Sequence, residues 1–176
     1  SRITFMVHKM PEASDNRWLY VPSVDLVKRI SADDKGSSFV GSDFTYEDVS
    51  GRHWTEDNHV LIGEEKLGDN DVYVIESTPI EDTKSFSKKV TYIDKTNFLP
   101  LKEEYYNKKG NLIRIFTVDK IVEIDGIMTP TFRKMENVKK KQYTTIEFSN
   151  IEYNIGADES IFTERFLKNP PRKFIK

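Results

Sequence analysis

The sequence predicts a mainly β (α+β) protein, an antiparallel meander of at least six strands with a few helices over one face. Short segments of alternating apolar and polar residues follow one another from Val60 onward, and turn-forming residues such as Asp125–Gly126 separate them. Several segments are apolar on both faces, most clearly Leu112–Ile124. A meander with one face in water would alternate more cleanly, so a second layer must cover the other face.

The N-terminal half of the pattern begins with a strand pair. Trp18–Val21 and Val24–Ile30 alternate apolar side chains and are joined across Pro22–Ser23. A polar loop, Ser31–Ser38, follows. The next segment, Phe39–Asp48, combines aromatic and acidic residues and predicts one short helical turn with Ser42 and Asp43 as an N-cap pair.

The rest of the chain predicts strands at regular spacing. Gly68–Asp69–Asn70 marks the first hairpin, and the charged segment Lys139–Lys140–Lys141 marks the last turn. A helix is expected over Asp158–Leu167, with acids in its first turn and Pro170–Pro171 beyond its end. The predicted strands are Val60–Leu67, Val72–Ile75, one containing Phe86, Val90 and Tyr92, Leu99–Tyr106, Leu112–Ile124, Met128–Asn137 and Tyr143–Tyr153.

The composition suits a single domain. A chain of 176 residues buries roughly 70% of its unfolded surface. The net charge of −2 gives no overall electrostatic reason to expect nucleic acid or an anionic membrane as the partner. The absence of cysteine excludes disulfides and thiolate chemistry in this segment, and no apolar run approaches the ~20 residues that span a bilayer.

Few residues suggest catalysis or a cofactor. His53 and His59 lie six positions apart, which matches neither helical nor strand spacing for metal ligands. Ser42 lacks the surroundings of a nucleophile elbow, and no glycine-rich phosphate loop occurs. Asp43, Glu47 and Asp48 can meet on one turn, but we expect them to cap the turn and fix it against Arg29 or Arg52. No catalytic residue, metal or cofactor is therefore predicted.

An ordered set of short motifs resembles the outer-membrane lipoprotein-sorting branch of the LolA/LolB-like superfamily. The first block runs Trp18-x-Tyr20-x-Pro22, Arg29–Ile30 and then Phe39-x-Gly41–Ser42–Asp43–Phe44-x-Tyr46–Glu47–Asp48. Later blocks are Tyr73–Pro79, Val90-x-Tyr92–Ile93–Asp94–Lys95-x-x-Phe98–Leu99–Pro100–Leu101, Gly126-x-x-x-Pro130 and Phe162–Thr163. Tyr92 and Phe98 stand where a tryptophan would be common in the family. The resemblance covers nearly the whole chain.

The resemblance implies a curved antiparallel half-barrel, one LolA-like domain over residues 1–176, with helices on the concave face and an apolar cavity between them. Because the family usually carries a signal and several tens of residues before this point, we expect the N-terminal part of the domain to be missing. The predicted ligand-binding residues are Trp18, Tyr20, Phe39, Phe44, Tyr46, Phe116 and Phe132. Gly41, Ser42, Asp43, Glu47 and Asp48 are the predicted rim or lid.

The function expected from the resemblance is non-catalytic: a periplasmic carrier that buries a lipid or lipoprotein acyl chain for outer-membrane sorting. An inner-membrane transporter is a conceivable partner, whereas nucleic acid is not expected. Two alternatives stay open. The chain could be a protein-binding accessory module of a membrane exporter, or a hydrolase that uses Asp43, Glu47 or Asp48.

Overall fold

The computed structural model describes residues 3–10 and 13–171. The chain divides into two compact units. The first comprises the residues up to Lys35 together with those from Glu152 onward, and the second is Gly36–Ile151. Each unit contains its own antiparallel sheet.

The first unit holds a three-stranded sheet and a short helix. The strands are β1 (Thr4–His8), β2 (Asn16–Val21) and β3 (Leu26–Ile30), in that spatial order. The predicted strand pair is confirmed, but β3 begins two residues late because Pro22–Val24 forms a 3-10 turn and Asp25 adopts a left-handed conformation. Helix α2 (Glu164–Lys168) packs on β1 and β2 through the fully buried side chain of Leu167.

The second unit is built on a seven-stranded antiparallel meander. Its spatial order follows the chain from β4 to β10, with β4 and β10 as the edges among the described residues. The predicted mainly β fold with an unclosed sheet is confirmed. The strands are β4 (Asp57–Leu67), β5 (Asn70–Pro79), β6 (Lys88–Asp94), β7 (Pro100–Tyr106), β8 (Leu112–Ile124), β9 (Ile127–Asn137) and β10 (Gln142–Glu147).

Three local predictions need correction. The last strand ends at Glu147 instead of continuing to Tyr153. The C-terminal helix is interrupted, since a 3-10 turn at Glu159–Ile161 ends at Phe162 and α2 starts only at Glu164. The helical turn in the aromatic segment, α1 (Tyr46–Ser50), is capped by Thr45 and not by Ser42 or Asp43.

Both faces of the central strands carry buried apolar residues, as the sequence pattern requires, whereas Val60, Leu61 and Ile62 on the edge strand β4 are more than half exposed. On the face that carries α1, the buried core contains Phe44, Phe86, Tyr105 and Met135. The opposite face carries two tyrosine rings, and each is covered by a lysine ammonium 4.9 Å from its centroid. These pairs are Tyr92 with Lys102, and Tyr106 with Lys88. Lysine stems therefore shield much of the apolar area on this second face.

Candidate functional site

The candidate site lies beneath α1, whose start is fixed by a reciprocal cap. The amide of Asp48 donates to the Thr45 hydroxyl at 3.0 Å, and the amide of Thr45 donates to the Asp48 carboxylate at 2.7 Å. This capping box satisfies two amides that the first turn would otherwise leave unpaired. The side chain of Asp43, freed from capping, accepts from Gln142 and Thr144 of β10 at 2.7 and 2.9 Å. The capping box within the segment and the contacts of Asp43 with β10 thus hold α1 on the sheet.

A cavity of about 260 Å³ lies between this segment and the sheet. Its lining combines an apolar set of aromatic and aliphatic side chains with a charged set. The α1 segment contributes Phe44, Glu47, Asp48, Val49, Gly51 and Arg52. The sheet and its connections contribute Phe86, Lys89, Pro100, Glu103, Tyr105, Phe116, Arg133, Met135, Ile146 and Phe148.

The apolar lining is organised by edge-to-face aromatic pairs. The ring of Phe44 meets that of Phe116 with centroids 6.5 Å apart and an interplanar angle of 83°. Phe86 and Tyr105 form a second pair at 5.4 Å and 74°. Met135, which is fully buried, belongs to the same core cluster. Pairs with this geometry stabilise beyond the area that they bury, so these walls are firmly placed.

Arg52 organises the charged lining closest to α1 in sequence. Its guanidinium donates to Glu47 at 2.8 Å and to Asp57 at 2.8 Å, and it lies 5.5 Å from the Phe86 ring centroid. Although burial opposes it, these acids and Glu56 raise the pKa of Arg52 above its ordinary value. Both Glu47 and Asp57 are buried, so the arginine neutralises charges that could not remain unpaired.

A second arginine reaches α1 from the sheet. Arg114 on β8 forms an ion pair with Asp48, and its guanidinium carbon lies 4.5 Å from the Tyr105 ring centroid. Burial disfavours the charged guanidinium, but the Asp48 carboxylate raises the pKa of Arg114. The other terminal nitrogen of this guanidinium, Nη2, is buried without a hydrogen-bond partner among the described residues.

The remaining cavity acid, Glu103, is held by three donors. Lys89 donates to it at 2.8 Å, Tyr105 at 2.5 Å and Thr91 at 3.3 Å. Burial raises the pKa of Tyr105 well above its ordinary value, and the negative charge of Glu103 adds to this effect. Tyr105 therefore stays protonated and continues to donate. Each carboxylate that lines the cavity is engaged by a cation: Glu47 by Arg52, Asp48 by Arg114 and Glu103 by Lys89.

The exposure of the lining residues indicates where the cavity opens. Phe44 and Phe86, on the α1 side, are 2% and 5% exposed, whereas Phe148, just past the end of β10, is 36% exposed. Arg133 lies over the Phe148 ring, 4.7 Å from its centroid. The cavity is therefore accessible on the Phe148 side, and the exposed Gly51 that follows α1 also belongs to its lining.

The predicted site residues divide into groups. Four of them line the cavity: Phe44, Phe116, Glu47 and Asp48. Phe39 and Tyr46 pack edge-to-face at 5.5 Å, and Phe39 also contacts the core cluster. Phe132 is half-buried on β9, opposite Lys120 and Glu147, and does not line the cavity.

The predicted rim residues Gly41, Ser42 and Asp43 form the turn that precedes α1. Gly41 is exposed with a positive φ of 80°, and the Ser42 amide donates to the Phe39 carbonyl at 2.9 Å. Trp18 and Tyr20 belong to the first unit. There Arg29 lies over the Trp18 ring, and the Tyr20 hydroxyl donates to Asp25 at 3.2 Å. Arg29 donates a hydrogen bond to Asn16 within the first unit, whereas Arg52, the other arginine expected to fix the acids of the aromatic segment, makes that contact with Glu47.

Sequence reasoning did not single out several lining residues, among them Phe86, Tyr105 and Glu103. Nor did it single out Arg114, although a signal was present. This arginine is the only charged residue in the largely apolar first half of β8, residues 112–118, and a charge at such a position is expected to meet a buried partner. Its partner, Asp48, lies 66 positions earlier, which no local pattern reveals.

Two further properties concern only the described residues. In residues 3–10 and 13–171, no group of three or more histidine, cysteine or acidic side chains is arranged to hold a metal ion. The same part of the chain contains no helix that is long and apolar enough to cross a membrane.

Comparison with known proteins assigns the family. A family model that carries only the description "Uncharacterized protein" matches residues 2–169. No curated protein matches the chain significantly. Two solved structures are 31% identical to it: a DUF1329 family protein from Desulfovibrio piger and a domain from Vibrio parahaemolyticus described as an outer-membrane lipoprotein-sorting protein.

These two structures superpose over most of the chain. The Desulfovibrio protein aligns with a TM-score of 0.84 over 94% of this chain and 70% of its own. The Vibrio domain aligns with a TM-score of 0.85 over 93% of this chain and 70% of its own. A LolA superfamily protein from Nitrosomonas europaea, 19% identical, shares the fold with a TM-score of 0.66 over 93% and 89% of the two chains. The chain therefore belongs to one family with the two 31% identical proteins, and it has the fold of the LolA superfamily protein.

Proposed function

We propose that the protein is a non-catalytic periplasmic carrier that holds an acyl chain of a lipid or lipoprotein during outer-membrane sorting. The observation that carries the proposal is the cavity beneath α1, with aromatic walls and an opening on the Phe148 side. The description of the Vibrio relative as an outer-membrane lipoprotein-sorting domain supports the same class of cargo.

The cavity suits part of one acyl chain. Its volume of about 260 Å³ lies just below the ~300–1,000 Å³ of typical small-molecule pockets. Each methylene removed from water contributes about 0.8 kcal/mol. Burial of such a chain segment along Phe116, Met135 and Ile146 would therefore supply the affinity without any chemical step. The accessible end at Phe148 leaves the polar part of the cargo outside.

The charged residues of the cavity support carriage over catalysis. A general acid or base needs a carboxyl group that can exchange a proton with its substrate. Glu47, Asp48 and Glu103 are each paired with a cation, and Asp48 also closes the helix cap. In this arrangement the carboxylates fix α1 and the sheet around the cavity.

The test is binding of a fluorescent fatty acid, together with native mass spectrometry of protein purified from its native compartment. We expect a discrete adduct of lipid or acyl-chain mass and saturable probe binding. Ile146→Trp fills the cavity and should abolish the binding. Ile155→Trp, at an exposed position that does not line the cavity, is the matched control and should bind like the parent.

The proposal fails if the protein carries no adduct and binds no probe, or if Ile146→Trp binds as well as Ile155→Trp. Circular dichroism of both variants confirms that the folds are retained. A protein that binds neither probe nor lipid but captures an envelope partner would instead favour the accessory-module alternative.

A further inference from the structure

The whole-chain charge of −2 conceals a strong asymmetry between the two ends of the seven-stranded sheet. The β7–β8 and β9–β10 turns emerge at the same end, because the end of β9 pairs with the start of β8. Both turns carry exposed lysines. We name this group the basic edge: Lys108, Lys109, Lys139, Lys140 and Lys141.

These five charges are close together. Neighbouring strands are ~4.8 Å apart, so two hairpin turns separated by two strand positions lie about 10 Å from each other. This spacing is near the ~8 Å screening length at physiological salt, and the lysine charges reinforce one another. Lys108 pairs with Asp82, and the other four lysines have no ion-pair partner among the described residues.

The turns at the opposite end of the same sheet do not form a basic cluster. Its β4–β5 and β8–β9 turns carry Asp69 and Asp125. Lys95, in the β6–β7 turn, is paired with Glu64. The basic edge is therefore a local feature and not an average property of the surface.

Exposed apolar side chains adjoin the basic edge. Trp54 precedes β4 and is 72% exposed, and Ile80 follows β5 and is 60% exposed. The Ile80 amide donates to the Glu56 carbonyl at 3.0 Å, which places these two connections side by side. The ion pair of Asp82 with Lys108 joins the Ile80 loop to the β7–β8 turn. Together they form one continuous end of the unit.

We propose that the basic edge, with Trp54 and Ile80, docks this unit on the surface of an anionic phospholipid membrane. Lysines are depleted at protein–protein interfaces, whereas clustered lysines are attracted to anionic lipid headgroups. An exposed tryptophan beside them is typical of a side chain that settles at the level of the headgroups. This surface is distinct from the cavity, because none of the five lysines lines it.

The test compares vesicles containing phosphatidylglycerol with vesicles of pure phosphatidylcholine, by co-sedimentation and tryptophan emission. We expect binding only to the anionic vesicles, weakened by added salt, with a blue shift of the emission. The shift should be absent in Trp54→Phe.

The charge-reversal variant replaces Lys139, Lys140 and Lys141 by Glu. Each lysine near an anionic surface contributes about a fivefold gain in binding, so loss of the three positive charges alone should weaken binding on the order of 100-fold, and the three added negative charges should weaken it further. The matched control reverses Lys28, Lys66 and Lys120, which are exposed elsewhere and give the same change in net charge. It should bind like the parent.

Three results would overturn this proposal: no binding to anionic vesicles, equal binding to both kinds of vesicle, or an equal loss in the two charge-reversed proteins. An acidic protein captured through the same lysines, without vesicle binding, would also overturn it. Because the fatty-acid probe reports on the cavity and vesicles report on the basic edge, each proposal can fail without the other.

Discussion

Arg52 and Arg114 both fix α1 over the cavity, but they reach their partners over very different distances in sequence. Arg52 pairs with Glu47 and Asp57, each five positions away. Arg114 pairs with Asp48, 66 positions away. The first cluster can form as soon as the local turn forms, whereas the second needs the sheet. Comparison of the two arginines therefore distinguishes the stability that α1 gains from its own neighbours in sequence from the stability that it gains from the folded sheet.

The two clusters also differ in how completely their polar groups are satisfied. Arg52 donates to two buried carboxylates and to the Glu56 carbonyl, and its guanidinium lies over the Phe86 ring. Arg114 leaves Nη2 without a partner among the described residues. Removal of one partner from a buried ion pair lowers the free energy of unfolding most when the remaining charged group has no other hydrogen-bond partner. The local cluster is thus expected to carry the larger share of stability.

Arg52→Met should have the largest effect. It leaves the buried carboxylates of Glu47 and Asp57 without the cation that neutralises them, and we expect a loss of about 3–5 kcal/mol in the free energy of unfolding. Urea denaturation followed by circular dichroism measures this. Arg165→Met, at an exposed position on α2, is the control and should change stability by less than about 0.5 kcal/mol. Equal losses in the two variants would contradict the importance of this cluster.

Arg114→Met should cost less, about 2–3 kcal/mol, because Asp48 keeps the hydrogen bond from the Thr45 amide. Hydrogen exchange should accelerate at residues 43–50, while the interior of β5 stays protected. A double-mutant cycle with Asp48→Asn measures the pair directly, with an expected coupling of about 1–2 kcal/mol. Strict additivity would mean that the contact contributes nothing.

Asp43→Asn tests the weaker of the long-range contacts. The amide nitrogen cannot accept from the Thr144 hydroxyl, although the amide oxygen can still accept from Gln142. We expect a loss of about 1 kcal/mol in the free energy of unfolding. Asp33→Asn, at an exposed position, provides the comparison and should be nearly neutral. If the two variants are equally stable, β10 does not help to hold the turn before α1.

The smallest expected effect is on the pH dependence of stability. It comes from local hydrogen bonds to Asp94, at the end of the sheet opposite the basic edge. The Thr96 hydroxyl and the amides of Thr96 and Asn97 lower the pKa of Asp94 below its ordinary value of 3.8. Because the folded-state pKa is depressed, the stabilisation is present above the unfolded value and is lost as the pH falls through the folded value.

Asp94→Asn should therefore lose less stability than the parent as the pH is lowered from about 5 to about 3. Chemical denaturation over this range measures the slopes. Asp69→Asn, in the exposed β4–β5 turn, should keep the slope of the parent. A parent and an Asp94 variant with identical slopes would show that this cluster does not titrate with folding.

The strand pattern was predictable because each hairpin is encoded by neighbouring residues. Gly68–Asp69 and Asp125–Gly126 join β4 to β5 and β8 to β9 as expected, and Leu112–Ile124 coincides with β8. Local signals failed where competing contacts decided the outcome. Asp43 looks like an N-cap residue, but its carboxylate binds β10, and Thr45 caps α1 instead.

The cavity lining was only partly predictable, because aromatic residues have the same pattern in a core, on a surface or in a pocket wall. Phe44 and Phe116 line the cavity as expected, whereas Phe132 does not. Side-chain direction on a strand alternates at every residue, so a change of one position in register reverses which face a ring occupies. Strand pairing, and not composition, places Tyr105 in the cavity wall.

The sequence by itself determined the mainly β class, the order of the strands and the aromatic, acid-rich segment that becomes α1, since these depend on periodicity and turn chemistry over a few residues. Tertiary structure alone decided that Arg114 meets Asp48, and that the lysines of two separate turns form one edge. Contacts of this kind depend on strand register and order. Those are set by the packing of the whole sheet, where local propensity has little influence.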